Sequence, residues 1–378
     1  MTERTVVVVF PSIFSLNKIN SLITSIDRIL KVKKQSFSKI RKNDSVIIVE
    51  ASDPVFASSA ISSLFGVEKI AIATEVENRF DVVVSAIGKI GTNLLLKGER
   101  FYVKVEGQAT EYLPKDMELA ATSSLIEKTI NLQTKPGTEA SHDKLLYTYL
   151  TKSHAYVCIF IDKAGGGVPY KSQNETILCG VYDELSAISC LQLLKVGFDV
   201  KILVCYRSDP DLLNIVKIIN QILPRFVQPK VELQFCRLEL NSSGSSGQLL
   251  KVAAITEILV SVAKINKIER ISLSVSPMIF PAWFIEYNAI CVFQKNLIPW
   301  FPLTGIDNSI FELAKEIGLE KHLSKIEGLC RLKFTSRNIP KGKINKISQT
   351  ALKTRKSITV TVGPKNIHDI IDSLKSNH

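Results

Sequence analysis

Between residues 176 and 275 short β-branched runs alternate with longer segments whose apolar residues recur at helical spacing. A strand, helix, strand succession of this kind needs crossover connections, and therefore a parallel sheet with helices on its faces. Strands are expected at 176–178, 199–205, 230–238 and 270–275, and helices at 183–196, 212–222 and 248–263. Gly197 stops the first of these helices, and Asn241-Ser-Ser-Gly-Ser-Ser-Gly247 reads as a flexible loop before the last. A further helix at 306–317 ends at Gly318, so an α/β sheet of at least four parallel strands is expected over about 176–330.

The preceding chain alternates less regularly and reads as α+β. Strands at 6–10 and 45–50 with helices at 19–29 and 55–65 form a small module over 1–70. A second block over 71–165 is expected to hold helices at 80–90 and 118–130, strands at 100–105 and 154–162, and a polar loop at 133–143. The run Ala164-Gly-Gly-Gly-Val-Pro-Tyr170 then reads as a hinge. A last segment, 336–378, carries a short strand at 357–362 and a short helix at 367–374. The opening run ending at Phe10 reads as a first strand rather than a signal peptide, and no apolar run reaches the roughly 18 residues of a membrane span. A cytoplasmic protein without a membrane partner is expected.

Charge is the compositional clue to function. Forty-eight Lys plus Arg stand against 36 Asp plus Glu, a formal net charge of +12. The excess falls in two blocks: residues 28–42 hold seven basic residues and no acid, and residues 331–378 hold eleven basic residues and two acids. Neither block is an amphipathic helix with aromatic anchors, so a polyanion such as nucleic acid is the expected partner; the competing reading is a solvated Lys-rich surface. Seven cysteines at 158, 179, 190, 205, 236, 291 and 330 include no CxxC, which argues against a zinc ribbon, a dithiol redox site or a disulfide framework. The five histidines form no HxxH or HxxxH pair, so no metal site is expected.

Three stretches together resemble the ThiI-type tRNA 4-thiouridine synthetases. Ser63-Leu-Phe-Gly-Val67 is similar to that family's link between its ferredoxin-like module and its THUMP domain. Gly166-Gly-Val-Pro-Tyr170 is similar to its Gly-Gly-Leu-Pro-Val connection into the PP-loop domain, and Gly305-Ile-Asp-Asn308 with the helix to Gly318 and the later Cys330 is similar to its late Gly-x-Asp-Lys segment. The resemblance implies a ferredoxin-like module over 1–70, a THUMP domain over 71–165 that grips the tRNA acceptor end, and a Rossmann-like ATP-pyrophosphatase domain over 172–335, with 336–378 as a basic extension. It implies fold more securely than chemistry.

The family's nucleotide loop, Ser-Gly-Gly-x-Asp-Ser, uses backbone amides and hydroxyls at a helix N-terminus to hold ATP phosphates. The matching stretch here is Cys179-Gly-Val-Tyr-Asp-Glu184, which retains Gly180 and Asp183. Val181 adds a β-branched side chain where backbone must meet phosphate, and Glu184 adds a negative charge. The plain alternative makes Asp183 a helix N-cap and Glu184 a complement to the helix dipole. No ATP or Mg²⁺ is therefore expected, although replacing Cys179, Val181 and Glu184 by the family's residues is expected to recover phosphate affinity if the backbone keeps the family's path. The Ser274-to-Pro281 stretch lacks the family's Glu, and Cys330 is the one candidate sulfur carrier, with a core thiol as its competing reading.

The leading reading is an RNA-binding protein, tRNA foremost, without ATP-dependent catalysis. Its expected RNA contacts are Lys31, Lys33, Lys34, Lys39, Arg41 and Lys42 in the first block, Lys104 in the THUMP strand, and Lys341, Lys343 and Arg355 in the tail. An active tRNA uridine-thiolating enzyme with a diverged ATP site is one alternative. A partner subunit that docks or forms a homodimer through its parallel-sheet domain is another.

Overall fold

A computed structural model describes residues 4–109, 111–240, 244–304, 309–334, 339–362 and 366–375. The chain divides into two compact units, Met1–Pro169 and Tyr170–His378.

The first unit contains, in chain order, strand β1 (Arg4–Pro11), helix α1 (Ile19–Val32), β2 (Phe37–Asn43), β3 (Val46–Ala51), α2 (Pro54–Ser62), β4 (Val67–Glu77), α3 (Phe80–Leu94), β5 (Arg100–Gly107), α4 (Pro114–Lys128), β6 (Lys135–Pro136), β7 (Lys144–Leu150) and β8 (His154–Gly166). All eight strands belong to one sheet in the order β2-β3-β1-β4-β8-β7-β5-β6. The expected module boundary near residue 70 falls inside β4, which pairs with β1 on one side and β8 on the other. Alternation sends Val7 and Val9 to one face and Val6 and Val8 to the other, and all four are buried. Val6 and Val8 pack with Tyr147, Tyr156 and Cys158, residues of β7 and β8. The Phe10 ring meets Tyr147 at 6.1 Å and Tyr149 at 5.1 Å, although two strands separate β1 from β7 in the sheet. The sheet therefore curls, and one core is shared across both expected modules. A second core lies under α3 and α4, where Val83, Ile87, Met117 and Leu125 cover Phe101 and Val103 of β5.

Two of the stretches singled out in the sequence meet at the edge of this unit. Val67 is registered with Gly166, the Gly66 amide donates to the Gly166 carbonyl at 2.6 Å, and the Ser12 hydroxyl donates to the Gly167 carbonyl at 2.5 Å. Gly66 has φ +95°, and a Cβ there would sit 2.9 Å from Pro169, so both backbone and space require glycine. The glycine run expected as a hinge is thus fastened to residues 64–67, and the division between the units falls after Pro169.

The second unit contains β9 (Thr176–Val181), α5 (Glu184–Lys195), β10 (Asp199–Tyr206), α6 (Asp209–Ile222), β11 (Lys230–Arg237), α7 (Gly244–Ile265), β12 (Arg270–Ser272), α8 (Ala282–Phe293), β13 (Ile298–Trp300), α9 (Ser309–Glu316), α10 (Leu323–Cys330), α11 (Lys341–Lys353), β14 (Lys356–Thr361) and α12 (Asn366–Lys375). The sheet runs β13-β12-β9-β10-β11-β14, with the first five strands parallel and β14 antiparallel to β11. This is the expected parallel α/β sheet. The C-terminal segment, expected as a basic extension, supplies the edge strand β14 and the helix α11, which packs on α7. The expected flexible loop is corrected in part: Gly244 to Gly247 form the first turn of α7, with Gly247 buried, while residues 241–243 lie outside the described set. Likewise, of the helix expected at 306–317, residues 306–308 lie outside it. Among the described residues no helix is long and apolar enough to cross a membrane.

Candidate functional site

In an open parallel sheet the ligand crevice opens at the carboxyl ends of the strands where the winding reverses. Here the chain steps outward from β9 to β10 and β11, then returns to β12 beside β9. The reversal lies between β9 and β12, so the crevice is bordered by residues 181–184 and 273–276.

Residues 179–184 form a closed helix start. The Asp183 carboxylate accepts from the Ser186 amide at 3.0 Å, and the Ser186 hydroxyl accepts from the Tyr182 and Asp183 amides at 2.8 and 2.9 Å while donating to the Asp183 carbonyl. This reciprocal cap engages three of the amides at the helix start, those of Tyr182, Asp183 and Ser186. The Lys251 ammonium, from α7, lies 3.0 Å from the other Asp183 oxygen and 4.9 Å above the Tyr182 ring. Both ends of that ion pair are largely buried, at 12% and 16% exposure. Burial pushes the Tyr182 phenol well above its usual pKa, and the neighbouring Asp183 charge adds to the shift. Cys179 and Val181 are core residues, and Glu184 is buried at 8% exposure. Gly180 serves packing: a Cβ there would touch Leu259 at 3.3 Å and Ile255 at 3.5 Å, so its small size admits α7 against β9.

The first basic block occupies the end of α1 and the edge strand β2, an element not expected from sequence. Lys34 takes φ 53° just beyond the helix, the Gln35 amide returns to the Leu30 carbonyl, and Lys33 and Lys34 are exposed at the negative end of the helix dipole. Lys39 and Lys42 are exposed on β2, and neither they nor Lys33 and Lys34 carry an ion pair among the described residues. Lys31 is paired with Asp27 at 2.8 Å.

Arg41 corrects the expectation of a free surface cation. Its guanidinium donates to Glu75 and lies 3.7 Å from Glu50, and these carboxylates are only 11% and 9% exposed. Arg4 reaches Glu50 at 2.7 Å, and the Tyr156 hydroxyl donates to Glu75 at 3.1 Å. Burial opposes the charge of Arg41, but Glu75 and its neighbours outweigh it and leave the pKa raised. Lys104 is similarly engaged, 2.8 Å from Glu139 and 3.3 Å from Glu106; its hydrogen bond to Glu139, followed by that to Glu106, holds the ammonium protonated well above its ordinary range.

In the tail, Lys341 and Lys343 are exposed on α11 and unpaired among the described residues, whereas the Arg355 Nη1 is buried without a hydrogen-bond partner. Cys330 is exposed at the end of α10, which corrects the core-thiol reading. Five other cysteines are buried, and Cys291 is partly exposed with a thiol pKa raised by burial. Thiol labelling of the native protein at pH 8 should show one fast group, Cys330, and one slow group, Cys291; the other five should react only on unfolding. Fast labelling of three or more thiols would contradict this burial. Among the described residues no cluster of His, Cys, Asp and Glu could hold a metal ion.

No family model and no curated protein matches the chain. Solved structures do. A 4-thiouridine synthetase in complex with RNA and bound ATP superposes with a TM-score of 0.65 at 14% identity, over 94% of this chain and all of that one. The chain has the fold of a 4-thiouridine synthetase. PH1313 from Pyrococcus horikoshii Ot3 agrees with it at a TM-score of 0.64 and 17% identity, over 83% of this chain and all of its own. At these identities the likeness concerns the fold, and the chemistry must be argued from the side chains.

Proposed function

We propose that the protein binds structured RNA, tRNA foremost, and does not carry out ATP-dependent modification of it. The observation that carries the reading is a contrast between two places. At the reversal point of the parallel sheet, the Asp183 carboxylate is taken by the Ser186 amide and by Lys251, whose ammonium also lies over the Tyr182 ring. Just beyond α1 and along the edge strand β2, Lys33, Lys34, Lys39 and Lys42 stand exposed and unpaired. ATP does not fit the first place: its phosphates would have to displace a largely buried ion pair and lie beside the buried Glu184 carboxylate. Phosphate contacts on RNA need unpaired surface cations rather than a fixed motif, and the second place supplies them. An RNA partner and buried free thiols both suit a cytoplasmic setting.

Replacing Lys33, Lys34, Lys39 and Lys42 together with alanine should weaken tRNA binding and flatten its salt dependence. At roughly 0.7 to 0.9 log units per phosphate contact, the slope should fall by up to about 3.5. The melting temperature should hardly move, because these side chains are exposed. Unchanged affinity and slope in filter binding across a salt series would remove these four cations from the interface.

A further inference from the structure

The second unit has another opening at the carboxyl end of its sheet, away from the filled crevice. It is a groove of about 430 Å³ between the segment that follows β11, the start of α7, and α11. That volume lies within the range of small-ligand sites, roughly 300 to 1,000 Å³. Lys343, Lys346 and Thr350 face it from α11, where spacings of three and four residues align them on one side of the helix. Leu250, Leu240 and Ile347 supply apolar surface, and Glu239 supplies a carboxylate. The side chains of Lys343, Lys346 and Glu239 are engaged by no hydrogen bond or ion pair among the described residues. Helix α11 carries no acid along its length.

This combination suits neither a bare phosphate nor a duplex backbone. A duplex needs cations on an open face, whereas these two lie on a concavity with apolar surface. A free phosphate would gain nothing from the leucines and would be repelled by Glu239. An unpaired nucleotide uses every group: apolar surface for the base, ammonium groups for its phosphate, and a carboxylate to accept a hydrogen bond from an exocyclic amino group. We propose that the groove between α7 and α11 receives one unpaired nucleotide of the bound RNA, with a base that carries an amino group. The inference rests on the RNA-binding reading and adds to it a site and a base preference. Uracil lacks the exocyclic amino group and offers Glu239 only its ring N3–H.

Anisotropy titrations with three RNAs of equal phosphate number test it: a hairpin with an adenosine loop, the same hairpin with a uridine loop, and a blunt duplex. The intact chain should bind the adenosine hairpin about tenfold more tightly than the duplex, and the uridine hairpin in between. Thr350→Trp fills the groove without changing charge, and should reduce the adenosine hairpin to the duplex level while leaving the duplex alone. Glu239→Ala, at an exposed position, should erase most of the preference for adenosine over uridine. Lys343→Ala with Lys346→Ala, both at exposed positions, should lower hairpin affinity about tenfold even if the tryptophan variant does not fold. Hairpin preference retained in these variants would overturn the groove assignment while leaving the RNA reading intact. Failure of the intact chain to bind any of the three RNAs would overturn both. Adenosine monophosphate should compete only at millimolar concentration; micromolar binding of it with the hairpin still bound would assign the groove to a free nucleotide and overturn the RNA-borne one.

Discussion

Arg41→Ala should cost the protein about 3 kcal/mol, far more than any neighbouring lysine in the same basic block. The substitution removes the one guanidinium that contacts both Glu50 and Glu75, and leaves two carboxylates of 9% and 11% exposure with diminished compensation. Arg4 would still reach Glu50, and the Tyr156 hydroxyl would still donate to Glu75, so the loss falls below that of a fully orphaned buried pair. Glu75 also belongs to β4, the strand that joins the two halves of the curled sheet. The damage should therefore spread through the whole first unit. Denaturant unfolding of the variant beside Lys42→Ala measures the difference directly. Equal stability of the two variants would mean that the carboxylates are solvated in solution.

Rebuilding the family's loop with Cys179→Ser, Val181→Gly and Glu184→Ser should destabilise the second unit and confer no measurable ATP affinity. Val181 is fully buried, and cutting it to glycine removes a packed side chain and frees the backbone of a central strand, at a cost of about 3 to 4 kcal/mol. Cys179→Ser would bury a hydroxyl among apolar neighbours and adds to that cost. The recovery expected from sequence ignores Tyr182 and Lys251, which remain in the crevice after all three changes. Titration calorimetry of the triple variant with ATP and Mg²⁺ should give no heat of binding at millimolar nucleotide. Micromolar binding would show that the crevice opens as soon as the side chains at 181 and 184 are reduced.

The elements with one dominant period were legible in the sequence. Val6 to Val9, Ile202 to Cys205 and the apolar face of α6 each announce themselves by a continuous or helical pattern. Strand β2 was not legible, because Lys39, Arg41 and Lys42 sit on it and an edge strand tolerates charge that a central one would not. Helix α11 was hidden in the same way: its buried residues, Ile344, Ile347, Ser348 and Ala351, are outnumbered by polar neighbours. The closed state of the 179–184 loop was half legible. Asp183 and Glu184 signalled a capped helix, but the Lys251 contact lies 68 residues away in sequence and depends on how α7 crosses the sheet. Arg41 and Glu75, 34 residues apart, pair for the same kind of reason, and no local pattern distinguishes such an arginine from a solvated one.

The proposed function requires recognition of structured RNA through unpaired cations and indifference to ATP. Competition binding tests it most directly: labelled tRNA at physiological ionic strength, challenged with unlabelled tRNA, heparin or random duplex DNA at equal charge, with and without ATP and Mg²⁺. Unlabelled tRNA should compete at least tenfold better than either polyanion, and ATP should change neither the affinity nor the bound RNA. Equal competition by heparin and tRNA would reduce the basic faces to a solvated Lys-rich surface, and ATP-dependent modification of the tRNA would contradict the reading of the closed loop.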